Sequence, residues 1–200
     1  MQNEAVALTQ QLVAINSVNP SLVPGGAGEA AIATFIAAWL GARGFAAELV
    51  GPAERPSVVA IRPGSGGGRA LLLNGHIDTV TLAGYDGDPL DPVVRDGRLY
   101  GRGSYDMKGG VAAMLVAAAA AAERALRGDV VVACVADEEQ ASLGTLAALE
   151  RVRADGAIVT EPTEEALVTA HKGFVWATLT THGVAAHGSR PHLGVDAIAK

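Results

Sequence analysis

Three apolar runs of this chain end in residues that can bind a metal ion or move a proton. "ALLLN" leads into His76 and Asp78, "VVVACVA" into Asp137, Glu138 and Glu139, and "AIVT" into Glu161. Asp106 stands just ahead of a further apolar stretch. One imidazole with several carboxylates and no thiolate is a donor set suited to Zn2+, Mn2+ or Co2+. Gathered on one edge, such carboxylates repel each other strongly unless cations neutralise them. Taken singly, each has a plainer reading. A lone acid at a strand end is commonly a turn residue or a helix cap, which would suffice for Asp137. Adjacent carboxylates in a surface loop are mostly solvated. The recurrence at successive strand ends is what favours a common site. There is no His-Glu-x-x-His pattern and no Gly-x-Ser-x-Gly pattern, so two common hydrolase arrangements are absent.

The elements that must position these residues follow from periodicity. Ile32, Phe35, Ile36, Trp39 and Leu40 mark one face of a helix that ends near Gly44. Residues 4–15 form a weaker helix. Two β-branched runs, 46–50 and 57–62, are followed by glycine-rich 64–68. That segment fits neither a phosphate loop nor a dinucleotide fingerprint and is expected to be a hairpin turn. After the run that ends at His76 comes a long loop, 79–106. A helix over 109–126, a strand over 129–136, a helix near 142–152 and a strand at 156–160 complete the series. Apolar strands alternating with helices predict an α/β fold with a mixed, largely parallel sheet and helices on both faces. Ligands of such sheets bind beyond the carboxyl ends of the strands, where His76, Asp78, Asp106, Glu138, Glu139 and Glu161 would meet. From Phe174 the texture changes to an alternating strand followed by the first turn of a helix, so a second domain is expected to begin at 173, after a first over 1–172.

Composition narrows the class. With 50% hydrophobic and 18% charged residues, the chain is globular and not disordered. A net charge of -6 argues against a nucleic-acid partner. No basic cluster suggests a membrane surface, and the apolar stretch 109–122 is too short to span a bilayer. The N-terminal residues lack the pattern of a signal peptide, and the single cysteine, Cys134, is expected to be a small buried side chain. Both favour a cytoplasmic location.

"GHIDTV", "GRGSYDMKGG", "DEE", "TEPT" and "GVAAHGSRPHLGVDAI" occur in this order. Together they resemble the di-zinc amidohydrolases that include acetylornithine deacetylase, succinyl-diaminopimelate desuccinylase, aminoacylase and carboxypeptidase G. The resemblance implies two Zn2+, with Co2+ or Mn2+ as alternatives. His76 and Glu161 would hold one ion and Glu139 the other, with Asp106 between them and a cis peptide from Asp106 to Met107. Asp78 would hydrogen-bond the His76 imidazole and fix its orientation. Glu138 would activate a metal-bridging water for attack on an amide of an N-acyl amino acid or small peptide. His187 would reach the substrate across a homodimer built through an α+β lid domain, whose first helix contains Lys200. The resemblance also implies a later segment that carries a last histidine ligand. Two alternatives stay open: a dipeptidase or carboxypeptidase on the same scaffold, and an inactive fragment that binds metal or a partner subunit.

Overall fold

The structure is a computed structural model that describes residues 2–173, 175 and 177–199. Residues up to Glu165 pack as one compact unit and those from Ala166 as a second.

The first unit is organised around the valine run. Strand β6 (Val130–Val135) is buried at every position. It lies at the centre of a sheet with β1 (Ala46–Val50), β2 (Ser57–Arg62), β3 (Leu71–His76) and β7 (Gly156–Val159), in the order β1-β2-β6-β3-β7. β6, β3 and β7 run parallel, whereas β2 pairs antiparallel with both β6 and β1. Alternate residues of β6 serve two cores. Val130, Val132 and Cys134 face helices α1 (Gln2–Ala14), α2 (Ala30–Gly41) and α3 (Gly109–Ala122). Val131, Ala133 and Val135 join the cluster that Ala148 of α4 (Leu143–Arg151) covers. Burial on both faces is why the run is continuously apolar and not alternating. Cys134 is free and fully buried, and burial pushes its thiol pKa up.

Two expectations change. Residues 64–68 do not close a hairpin, because β6 lies between β2 and β3. The two-faced valine strand takes the central position, and the glycine segment instead packs against Arg127 and Gly128 at the start of β6. The long loop contains a hairpin, β4 (Val93–Arg95) and β5 (Arg98–Tyr100), turned at Asp96 and Gly97 with φ of 52° and 75°. An Asp-Gly pair at positive φ is the favoured two-residue hairpin turn. Its flanking strands are too short and too polar to give an apolar period. Among the described residues no helix is long and apolar enough to cross a membrane.

The second unit has little regular structure. Val184 and Val195 bridge through a pair of backbone hydrogen bonds of 2.9 and 3.0 Å, around a short helical turn at Pro191–Leu193. The Asp196 carboxylate accepts from the amides of Ile198 and Ala199 at 2.8 and 3.1 Å, as a helix N-cap does. Of the strand expected from Phe174, Phe174 and Trp176 lie outside the described residues, and the described residues 177–183 form no strand.

Helix α3 carries the strongest packing predictions. Leu115 is fully buried in the larger core, so Leu115→Ala should cost about 2–5 kcal/mol, read as a lower urea midpoint. Gly110 has no room for a side chain, because a Cβ there would overlap the Thr160 carbonyl oxygen. Gly110→Ala should therefore push the segment before Glu161 off α3 and lower stability by about 1–3 kcal/mol in the same measurement.

Candidate metal centre

Strand register gathers the polar residues. His76 ends β3 opposite Val135, so the turn after β6 begins beside it. Asn74 pairs with Val159, and the Thr160 amide donates to the Asn74 carbonyl at 3.1 Å. The chain leaving β7 therefore carries Glu161 past His76. A wide turn, Ser104–Lys108, feeds α3 and contains a cis peptide between Asp106 and Met107. Met107 and Lys108 anchor it from inside: the Met107 sulfur accepts from the His76 amide at 3.2 Å, and Lys108 Nζ donates to the Ile15 carbonyl at 2.8 Å. Close approach needs Gly75, since a Cβ there would meet Met107 Cε at 2.9 Å and Val111 Cγ2 at 3.0 Å.

His76 is the hub. Its Nε2 lies 3.0 Å from Asp106 Oδ1, 3.7 Å from Glu161 Oε1 and 3.9 Å from Glu138 Oε2. Donor atoms of His76, Asp106 and Glu139 lie within 4.8 Å of one another, and so do those of His76, Glu138 and Glu161. Metal–ligand bonds of about 2.0–2.2 Å place tetrahedral ligands roughly 3.3–3.6 Å apart, so these separations fit divalent cations. The imidazole is buried, while Asp106, Glu138 and Glu161 remain open to solvent on one side.

The charges respond to this crowding. Burial opposes the imidazolium form of His76. The Asp106 hydrogen bond and the charges of Asp78, Glu161 and Glu138 outweigh it and raise its pKa to about 9. The same hydrogen bond holds Asp106 below the usual carboxylate range. Burial, reinforced by the neighbouring carboxylates, lifts Glu161 to about 7 and raises Glu139. Burial and like charge oppose the ionised forms of Glu139 and Glu161, and a bound cation would favour them.

Asp78 hydrogen-bonds the His76 ring as expected, but through its main chain. Its backbone carbonyl, not its carboxylate, meets His76 Nδ1 at 3.0 Å. Carboxylate Oδ1 is 3.7 Å from Nδ1, beyond hydrogen-bond range. The fully buried carboxylate is already occupied by N–H donors: Asn19 Nδ2 at 2.7 Å, the Glu138 amide at 3.0 Å and the Glu139 amide at 3.2 Å. It therefore holds the backbone of the two glutamates. Asp137 does more than end a strand: at φ 63° its carbonyl accepts from the amides of Ala141 and Ser142 and closes the turn that presents Glu138 and Glu139.

His187 lies in the second unit, exposed, with Nδ1 2.9 Å from Ser189 Oγ. His171, His182 and His192 are exposed as well. Sequence reasoning missed Asn19, Glu29 and Arg55, which cluster behind Asp78 and Asp137. Their signals were slight: a buried acid next to an apolar helix, and single polar residues beside prolines.

Known proteins resemble this chain in sequence and in fold. Residues 72–191 match the model of peptidase family M20/M25/M40. A succinyl-diaminopimelate desuccinylase of Xanthomonas oryzae pv. oryzae is 36% identical over 95% of this chain and 52% of its own length. An acetylornithine deacetylase of Myxococcus xanthus is 40% identical over 72% of this chain and 38% of its own. The crystal structure of human carnosine dipeptidase 1 superposes with a TM-score of 0.67 and 27% identity, over 79% of this chain and 38% of that one. The chain spans about half the length of the curated relatives it matches. A histidine hub ringed by carboxylates at the carboxyl edge of a mixed sheet, together with a family match over most of the chain, establishes that the chain belongs to peptidase family M20/M25/M40.

Proposed function

We propose that this chain is the metal-binding part of a hydrolase that cleaves the amide bond of N-acyl amino acids or small peptides. The convergence of His76, Asp106, Glu138, Glu139 and Glu161 carries the reading. His76 and Glu161 would hold one cation and Glu139 the other, with Asp106 between them. The oxygen-rich set with one imidazole suits Zn2+, with Co2+ or Mn2+ as substitutes. Bound there, the cations would serve as Lewis acids toward the amide carbonyl and the attacking water. Glu138 takes the proton of that water and delivers it to the leaving amine nitrogen. Asp78 keeps Glu138 in place through its main-chain amide. His187 contributes to substrate binding across a homodimer, in a lid domain that begins near 173 and follows a catalytic domain over 1–172. A free, buried Cys134 fits a cytoplasmic protein.

The desuccinylase and deacetylase relatives favour N-acyl amino acids. The likeness to a carnosine dipeptidase supports dipeptides as the second reading.

Two measurements test the assignment. In a chain extended over the relatives' length, Glu138→Gln should keep its bound metal and lose about 10²–10⁴-fold in turnover. Retained turnover would remove Glu138 from the base role. In the present chain, elemental analysis after dialysis with zinc should find bound metal that falls sharply on Asp106→Ala. Equal zinc in both proteins would sink the assignment of Asp106.

A further inference from the structure

Behind the metal centre lies a polar cluster that the proposed chemistry leaves unused. Arg55 forks onto Glu29, with Nη2 2.5 Å from Oε1 and Nε 3.0 Å from Oε2. Its Nη1 reaches Asp137 Oδ1 at 2.9 Å and Ser21 Oγ at 2.8 Å. Glu29 Oε1 also accepts from the Asp137 amide at 3.2 Å. Asn19 Nδ2 then links the two buried acids, donating to Asp137 Oδ1 at 3.2 Å and Asp78 Oδ2 at 2.7 Å. Asn19, Glu29 and Asp78 are fully buried and Asp137 is 3% exposed.

We infer that Asn19 and Arg55 are positioning residues that fix the Asp137–Glu139 turn, and so set where Glu138 and Glu139 stand at the metal centre. The inference rests on the metal reading proposed above. The argument is one of connectivity. Glu138 and Glu139 have half-open side chains that cannot fix their own backbone. Their amides are held by Asp78, and the turn that contains them is closed by the Asp137 carbonyl. Asp78 and Asp137 are like charges, and each is tied to the cluster through Asn19 Nδ2. Without that amide group the two carboxylates lose a shared donor and repel. Arg55 supplies the positive charge between the acids Glu29 and Asp137. A fork held by one carboxylate from α2's N-terminal flank and one from the turn registers the turn against the rest of the unit.

Asn19 Oδ1 accepts from the Ser21 amide at 2.9 Å, but the Asn19 main chain has anchors of its own. Its amide donates to the Thr79 carbonyl at 2.9 Å, and Val18 bridges Thr79. Truncation at Cβ keeps these main-chain anchors and frees only the Ser21 amide besides the two acids, which makes Asn19→Ala the first variant.

The test is amide hydrogen exchange of the metal-free protein, joined to a zinc titration. In the wild type, the Glu138 and Glu139 amides should be protected despite their half-open side chains. Fast exchange there overturns the inference before any variant is made. Asn19→Ala should speed exchange at these two amides at least tenfold and leave Val131–Val135 of β6 unchanged. A merely structural role moves both regions together, as the core variant Val152→Ala would. Arg55→Lys, which keeps the charge and loses the fork, should produce the same local loss in weaker form. Unchanged exchange at Glu138 and Glu139, or loss spread equally over β6, overturns the inference. The titration should show zinc affinity about 10–100-fold lower in Asn19→Ala. Unaltered affinity overturns the inferred link to the metal. Absence of zinc binding in the wild type strikes the metal reading instead, and leaves the exchange result to judge the turn.

Discussion

Like-charge repulsion at one edge of the sheet is the constraint on which the rest depends. Asp106, Glu138 and Glu161 all approach His76 Nε2 within 4 Å, and Glu139 joins them. Asp106 and Glu139 bring donor atoms within 4.8 Å of each other, as do Glu138 and Glu161, and carboxylates that close repel. The backbone must therefore hold them together, since their side chains alone would separate. Parallel pairing of β3 with β6 and β7 does this by ending three strands at one level. Two-faced burial of β6 fixes that register, because a one-residue slip would turn Val131 and Val132 to the wrong cores.

The wide turn at Ser104–Lys108 meets a second demand of the same site. Asp106 must reach His76 from a helix, not from a strand. Its φ and ψ of -121° and 101° are extended, Met107 is non-helical as well, and the helical backbone begins at Lys108. Glycine at positions 75 and 110 lets this turn and the β7 exit close around the imidazole without intervening side chains. Lys108 and Met107 then seal the turn from within.

Much of this was legible in the residues. Strands β1 and β2 lie where their β-branched runs predict, and the acids fall after β3, β6 and β7 as the apolar runs indicate. Periodicity captures elements whose identity is set by which face is buried. It fails where position in the sheet is decided by a remote strand. β6 enters between β2 and β3 from more than fifty residues away, and no local signal at 64–68 announces it. It leaves Asp78 half specified: the residue does bond the His76 ring, through its carbonyl. The spacing His-x-Asp places a carboxylate near the imidazole, but which group of Asp78 faces the ring depends on donors from Asn19 and the Glu138 turn. Hydrogen-bond competition of that kind leaves no trace in spacing.

The buried cluster behind the site raises the question of why polar residues occupy core positions at all. Ion pairs in an interior seldom stabilise more than well-packed apolar side chains would, because desolvation offsets their attraction. Asp137, however, is a non-glycine residue at positive φ, a conformation that seldom persists without support. An apolar neighbour could fill the space, but it could not accept the Asp137 amide or answer its carboxylate. Glu29 does the first and Arg55 the second. Directional bonds select one backbone conformation, where apolar packing would tolerate several. On the proposed function the turn presents Glu138 as a base and Glu139 as a ligand, and such a turn needs that selectivity more than it needs stability. Breaking the cluster on one side leaves an unpaired buried charge, so the same bonds that add little to the folded state make its loss costly.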